Sequence, residues 1–470
     1  MDVSGFPEAL LDEELAQTFA YELDTFQKQS IVRIHRRQNI LVCAHTGSGK
    51  TTVAEYAVNY YKQRGQRVIY TSPLKALSNQ KFREFQALYG DIGIITGEVV
   101  KNRAAQCIIM TTEILRNLLY KGDECLSQVG CIIFDEVHYI SNYERGFVWE
   151  ESIILAPAHC SLVLLSATVD NRVDFANWVG CVKQREVFVI GTETRAVPLQ
   201  HYLFYNNKEY LLQNEREEFT LDAYRQIAAE QRRAQEEKEL KGKTKTNFKK
   251  SLSVSYAKTE KLVVQQFVNF LDKSDRLPAV IFCFSRRKVE NLAKDVRGPL
   301  SYPRESKAKA LQLFNQLVQT LSPEDQALPQ VTLLRVTLEQ GVALHHSGMI
   351  PILKDCVELL IIKKLILVVF ATETFAVGIN MPVRAVALNG LQKPSNDSMG
   401  LLKPNEYLQI AGRAGRRGID TRGFVYILCV DRQPIDSNQV AAVLAKQKNR
   451  LGSMFRITLN MVLQIQRTAE

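Results

Sequence analysis

Residues 44–51 read Ala-His-Thr-Gly-Ser-Gly-Lys-Thr, between a short apolar run and an amphipathic one. The spacing fits G-x-x-x-x-G-K-[ST], with Ala44 at the first glycine position. In such a loop the backbone N–H groups of His45, Thr46, Gly47, Ser48 and Gly49 cradle phosphate oxygens at the positive end of a helix. Lys50 then reaches the β- and γ-phosphates, and Thr51 holds Mg2+. Asp135-Glu136-Val137-His138 closes another apolar run. There Asp135 is placed to position Mg2+ through its waters, and Glu136 to polarise an attacking water. An acidic pair at a strand end is common for solubility; downstream of a phosphate loop it is much more specific. Residues 409–418 pack Arg413, Arg416 and Arg417 among Gly412, Gly415 and Gly418. Arginine matches phosphate oxygens in a planar fork, so beside a phosphate site these read as arginine fingers.

Such loops need a strand behind them and a helix in front. Asn39–Ala44, Val68–Thr71, Gly93–Thr96, Cys107–Thr111, Cys131–Phe134 and Leu162–Ser166 are short, continuous apolar runs, as strands buried on both faces should be. Helical stretches such as Thr51–Gln63 and Ala76–Ala87 lie between them. The second half repeats the alternation with Ala279–Cys283, Val342–His345, Leu365–Ala371, Arg384–Leu388 and Gly423–Val430, and with helices at Arg287–Val296 and Pro351–Ile362. At 470 residues the chain exceeds one hydrophobic core. The predicted fold class is therefore α/β, with two tandem doubly wound parallel-sheet domains and a short helical C-terminal extension. A charged seam separates the halves, with a mixed-charge helix followed by a lysine-rich loop.

With 46% apolar and 23% charged residues the composition is ordinary for a globular protein. The most apolar stretch, Leu359 to Ala371, is cut by Lys363 and Lys364, so no membrane span is predicted. The acidic first residues carry no basic-then-apolar signal pattern. Nine cysteines without a C-x-x-C pair suit small buried hydrophobes in a reducing compartment. Residues 1–200 carry 20 basic and 23 acidic side chains; residues 201–470 carry 40 and 27. A basic excess confined to the second half permits a polyanionic partner without requiring one.

In order, Phe26-Gln27, AHTGSGKT (44–51), TSPLKALSNQK (71–81), TTEIL (111–115), FDEVHY (134–139), LLSAT (164–168), FCFSRRK (282–288), LHHSGMIP (344–351), FATETFAVGINMP (370–382) and QIAGRAGRRGID (409–420) resemble the motifs of a superfamily-two DExH helicase. Within that superfamily the chain resembles the exosome-assisting RNA helicases of the superkiller type, from about Tyr21 to Thr468. The phosphate loop departs from many relatives at Gly47-Ser48, where they carry Ser-Ala. The resemblance implies two RecA-like domains and an enzyme that hydrolyses ATP, with Mg2+, to move 3′ to 5′ along RNA. It assigns adenine recognition to Gln27 with Tyr21 stacking on the base, and a nucleotide contact to Gly378. It gives γ-phosphate contacts to Gln409, Arg413 and Arg416, and coupling of turnover to lobe movement to His138, Ser166 and Thr168. Pro73, Lys75, Thr111, Thr112, Ser285 and Thr372 resemble positions that touch the RNA backbone, which bind a strand without reading its sequence.

The implied domains are an extension at 1–20, a first RecA-like domain at 21–200, a charged linker or insertion at 201–260, a second RecA-like domain at 261–435, and the truncated start of a winged-helix region at 436–470. The implied partners are single-stranded RNA or structured RNA with a 3′ overhang, and the RNA exosome with its adaptors; no membrane is implied. Val137 leans towards the cytoplasmic type, while residues 311–351 and Leu199–Phe204 favour the nuclear one, so an intracellular and preferably nuclear protein is expected. The alternatives are an ATP-dependent RNA clamp or exosome adaptor that does not unwind, and a DNA-repair helicase, since backbone contacts separate RNA from DNA poorly. His345-His346 lacks a third ligand at metal-binding spacing and reads as a strand-end pair. Trp149 and Trp178 read as core.

Overall fold

The computed structural model describes residues 15–19, 21–192, 194–240, 252–376, 383–395, 398–430, 434–445 and 450–457, with a few single positions beyond. The chain divides into two compact units, residues 1–195 with 448–470 and residues 196–447.

The first unit is built on an eight-stranded sheet. Its strands are β1 (Asn39–Cys43), β2 (Arg67–Ser72), β3 (Ile92–Ile95), β4 (Val100–Lys101), β5 (Cys107–Thr111), β6 (Val129–Phe134), β7 (Ser161–Ser166) and β8 (Val187–Gly191). Their order is β4-β3-β5-β2-β6-β7-β1-β8, all parallel except the edge strand β4. Apart from the first residue of β2, the last of β8 and the exposed β4, every residue of these strands is buried. That burial is why they read as unbroken apolar runs. Helices cover both faces, and two separate apolar cores form on the two sides of the sheet.

The second unit holds a seven-stranded sheet of β9 (Leu199–Tyr205), β10 (Lys208–Gln213), β11 (Ala279–Phe282), β12 (Val342–His345), β13 (Val368–Ala371), β14 (Ala385–Leu388) and, after the hairpin β15 (Gln392–Ser395) and β16 (Ser398–Leu401), β17 (Gly423–Leu428). The order is β10-β9-β17-β14-β11-β13-β12, with only β10 antiparallel. Both sheets are thus parallel-dominant with flanking helices, as expected, and each adds an antiparallel strand at one edge.

Two expected boundaries are corrected. Residues 201–260 are not simply a linker: Leu199–Tyr205 pairs in parallel with β17, and Lys208–Gln213 turns back along it. Helices Asp222–Leu240 and Leu252–Lys273 follow, and the second sends Val264, Phe267, Val268 and Leu271 into the core of the second unit. The lysine-rich stretch 241–251 lies outside the described residues. At the other end, residues 436–470 do not form one region. Helix Ser437–Leu444 belongs to the second unit, whereas residues 450–456 run without regular structure along the first. Among the described residues no helix is long and apolar enough to cross a membrane. All nine cysteines are free, and only Cys125 and Cys181 are not buried.

Candidate active site

The strand order of the first sheet lines up the motifs. The phosphate loop leaves the carboxyl end of β1, Ser166–Thr168 that of its neighbour β7, and Asp135-Glu136 that of β6. Next come Pro73 and Lys75 after β2, and Thr111-Thr112 after β5. Registers confirm that these ends are level: Cys43 lies opposite Ser166, Leu164 opposite Phe134, Thr71 opposite Phe134, and Ser72 opposite Thr111. Four strand spacings separate β1 from β5, about 19 Å.

Gly47 (φ +82°) and Gly49 (φ +87°) take the left-handed conformations that turn the loop over the start of helix Lys50–Gln63. Lys50 Nζ donates to the carbonyls of Ala44 (2.7 Å) and His45 (3.2 Å), so the ammonium sits over the loop's own curve. Ser48 Oγ donates to His45 O at 2.7 Å, closing the turn. Gln27 is fully buried; its Nε2 donates to Gly49 O (2.9 Å) and its Oε1 accepts from Asp24 N (2.9 Å). One side chain therefore ties the N-terminal helix to the phosphate loop. Tyr21 is half exposed and hydrogen-bonds Thr52 Oγ1 at 2.9 Å, one residue beyond Thr51.

Asp135 is buried; its Oδ2 accepts from Tyr70 OH and its Oδ1 from Glu136 N (2.9 Å). Burial, then the Glu136 charge, pushes its carboxyl up to about 6 against the pull of the Tyr70 hydrogen bond, Lys81 and Lys50. Glu136 sits at φ +52°, a conformation that costs a non-glycine residue energy and recurs at functional sites. It aims the chain into the short 3-10 turn Val137–Ser141. His138 Nδ1 lies 3.4 Å from both Ala167 N and Glu136 Oε2. Burial lowers its pKa, so the neutral ring accepts from Ala167 N and links the Asp-Glu motif to the Ser-Ala-Thr motif. Ser166 Oγ is buried with no hydrogen-bond partner among the described residues, and Thr168 is half-buried.

Sequence reasoning missed two groups here. Lys81 is buried, donates to Thr51 Oγ1 (3.3 Å) and pairs with Glu84 (2.7 Å), adding a second cation beside Lys50. Tyr70, in mid-strand, was invisible because its partner lies 65 residues away. Thr51 and Asp135 offer hard oxygen donors, and among the described residues no three His, Cys, Asp or Glu cluster as a metal cage. That donor set fits Mg2+, which keeps waters and phosphate oxygens as its remaining ligands.

The candidate RNA positions divide. Lys75 is exposed and paired with Glu98 at 2.6 Å. Pro73 O accepts from Arg145 Nη2 at 2.8 Å. Thr112 is fully buried and its hydroxyl donates to Ser72 O at 3.4 Å. Thr111 is also buried, at the N-cap of helix Thr112–Lys121, and its side chain does not cap that helix.

In the second unit Ser285 follows β11 and Thr372 follows β13, at carboxyl ends. Thr372 is buried, with its hydroxyl on Thr374 Oγ1 at 2.9 Å. The arginine turn lies at the opposite edge of that sheet: Ala414 bridges Val383 just ahead of β14, and Gly415 N donates to Val383 O at 3.0 Å. Gln409 and Arg413 are half-buried. Arg416 is not an open finger. Its Nε and Nη2 each donate to Asp420 at 2.7 Å, and its backbone N donates to the same carboxylate at 2.9 Å. Gly378 lies outside the described residues. His345 and His346 face Glu358 (3.4 Å) and Glu290 (3.1 Å) respectively. Trp149 is fully buried, whereas Trp178 is only half-buried.

Comparison with known proteins agrees with this layout. Residues 24–175 match the DEAD/DEAH box helicase model. The chain is 41% identical to human Superkiller complex protein 2 over 457 residues, 96% of this chain and 36% of that protein. It is 39% identical to the ATP-dependent RNA helicase mtr4 of Schizosaccharomyces pombe, over 96% of this chain and 40% of that protein. Against the DExH-box ATP-dependent RNA helicase DExH9 of Arabidopsis thaliana it is 39% identical, over 97% and 46%. The chain spans less than half the length of these relatives. With its phosphate loop, Asp-Glu-Val-His turn and two parallel sheets in place, the chain belongs to the DExH helicases of the superkiller and mtr4 type.

Proposed function

We propose that the chain is an ATP-dependent RNA helicase, a 3′-to-5′ translocase that remodels RNA for exosome-linked processing and decay. The observation that carries this reading is the strand order of the first sheet, which sets the nucleotide motifs on β1, β7 and β6 and the candidate RNA motifs on β2 and β5 along one edge. A shift at one group of motifs is thereby one strand away from the other.

In this reading the loop N–H groups and Lys50 hold the phosphates, Thr51 and Asp135 hold Mg2+, and Gln27 with Tyr21 holds the adenine. The metal, when bound, neutralises phosphate charge. Glu136 orients water and takes its proton; His138 passes the state of that turn to Ala167 and so to Ser166 and Thr168. Gln409, Arg413 and Arg416 supply phosphate-binding chemistry from the second domain. Arg416 reaches a phosphate by exchanging the Asp420 fork for phosphate oxygens, which have the same geometry. RNA is held through its backbone, with Lys75 the one exposed cation among the first-domain candidates. Exosome partnership is inferred from the relatives, and nuclear residence from residues 311–351 and Leu199–Phe204, against the lean of Val137.

A strand-displacement assay on an RNA duplex with a 3′ overhang tests this. ATP-dependent displacement of RNA is the expected result. ATP turnover without displacement would favour an RNA clamp, and displacement of DNA alone would favour a repair helicase.

A further inference from the structure

Residues 450–456 lie on the first unit, about 280 residues away in sequence from the nearest element they touch. The contacts are specific. Asn171 Nδ2 donates to Leu451 O (2.8 Å), and Asn171 Oδ1 accepts from Leu451 N (2.7 Å), as a neighbouring strand would. Ser141 Oγ donates to Arg450 O (3.5 Å) and accepts from Gly452 N (3.1 Å). Met454 N donates to Glu150 Oε1 at 3.1 Å, and Arg456 donates to Tyr143 O at 2.6 Å with its guanidinium 4.6 Å from the Tyr143 ring centre.

The two anchor residues are not arbitrary. Ser141 ends the 3-10 turn that Glu136 opens and His138 occupies. Asn171 is the N-cap of helix Arg172–Lys183, three residues after Thr168. On the site side these two turns meet through His138 and Ala167; on the far side Ser141 and Asn171 are bridged by residues 450–452, while Ile140, Val169 and Phe175 share the apolar core beneath. The seat is also shaped for the segment. A Cβ on Gly146 would stand 2.0 Å from Ile140 O and 3.0 Å from Met454 Cβ, so only glycine lets this helix start against both.

We propose that residues 450–452 are a positioning element of the hydrolysis site, a strap that staples the turn after Asp135-Glu136 to the turn after Ser166–Thr168 through Ser141 and Asn171. The proposal rests on the reading of the first domain as an ATPase. The strap fixes where Glu136 and His138 stand relative to Ala167, and it leaves the phosphate loop untouched. It is held by polar contacts and by Leu451, which packs at the edge of the first unit's core and, with Ile140, Phe175 and Trp178, lines a cavity of about 400 Å³. Force or binding at the C-terminal side of residue 456 would then act on turnover through Asn171 and Ser141.

The test is Asn171→Ala in the full chain, with steady-state ATPase measured with and without single-stranded RNA, and melting followed on the same samples. The strap predicts kcat down about tenfold per folded molecule, part of the roughly hundredfold that ångström-scale misplacement can cost, with KM for ATP unchanged and RNA stimulation reduced. Asn171→Asp, which keeps the acceptor for Leu451 N, recovers part of the loss. Unchanged kcat and RNA stimulation with a lower melting temperature would reduce the strap to packing and overturn the proposal. Should Asn171→Ala not fold, Ser141→Ala carries the same test with a smaller expected drop, and an unchanged kcat there refutes it. A wild-type chain with no turnover removes the ATPase reading, and the proposal falls with it.

Discussion

Replacing Asp420 by Asn is the most informative single change in the second domain, because its cost can be worked out from geometry. Asp420 accepts three hydrogen bonds from Arg416, from Nε, Nη2 and the backbone N, and its side chain is only 4% exposed against 14% for Arg416. Arg384 Nε stands 3.7 Å from the same carboxylate and continues through Nη1 to Asp275 at 2.6 Å. Asparagine keeps one acceptor, turns the other into a donor facing a donor, and leaves Arg416 without its counter-charge. Breaking a buried pair costs roughly 3–5 kcal/mol, and the partial exposure of Arg416 sets the expectation near the lower end, about 3 kcal/mol. Burial raises the Asp420 carboxyl, but the Arg416 hydrogen bonds outweigh it and hold it below its ordinary value. Its stabilisation is therefore complete above about pH 4 and fades as pH falls through the folded-state pKa. Urea unfolding of wild type, Asp420→Asn, Arg416→Ala and the double variant at pH 7 gives the coupling directly. Coupling of about 3 kcal/mol that shrinks in acid is expected. Coupling below about 0.5 kcal/mol would show that the two residues act independently and refute the reasoning.

Four further outcomes follow from the same structure. Gln27→Ala should raise KM for ATP, weaken discrimination against GTP, and cost about 1–2 kcal/mol by freeing Gly49 O and Asp24 N; unchanged nucleotide preference in competition assays would remove Gln27 from adenine recognition. Lys75→Ala should weaken RNA binding and lower its salt slope by about one, whereas Thr112→Val should cost about 1 kcal/mol of stability and leave RNA affinity alone. The reverse pattern in salt-dependent titrations would contradict the assignment of Lys75 as the exposed contact. Burial lowers the Lys183 ammonium to about 8, although it donates to Ile154 O and Ala156 O. The unfolded chain then holds a proton that the folded one lacks between about pH 8 and 10.4, so wild-type stability should gain, by about 1–2 kcal/mol after solvent screening, relative to Lys183→Met across that window; parallel curves would refute it.

What the sequence revealed follows from the range of each interaction. The phosphate loop and the Asp-Glu-Val-His turn are local, so their residue types and spacing were enough. Strands buried on both faces announced themselves as continuous apolar runs. The hairpin Leu199–Gln213 was hidden by its charged surroundings, although its turn residues Asn206 (φ +47°) and Asn207 (φ +63°) are the pair a tight two-residue hairpin turn prefers. Lys81, Tyr70 and Asn171 act through partners 30, 65 and 280 residues distant, and no local pattern carries that information. The local partners of the Thr112 and Thr372 hydroxyls, Ser72 O and Thr374 Oγ1, were equally unmarked. A hydroxyl beside a strand end suits a ligand or a neighbouring oxygen, and the sequence does not distinguish them. The pairing of Arg416 with Asp420, four residues on, likewise carries no mark in the sequence.

In the proposed function the edge of the first sheet joins nucleotide chemistry to an RNA strand. The direct measurement is ATP turnover by the chain with and without single-stranded RNA, with Glu136→Gln beside it. Turnover should rise with RNA, and Glu136→Gln should retain ATP binding while hydrolysis collapses. Turnover indifferent to RNA, or undiminished in Glu136→Gln, would contradict the account.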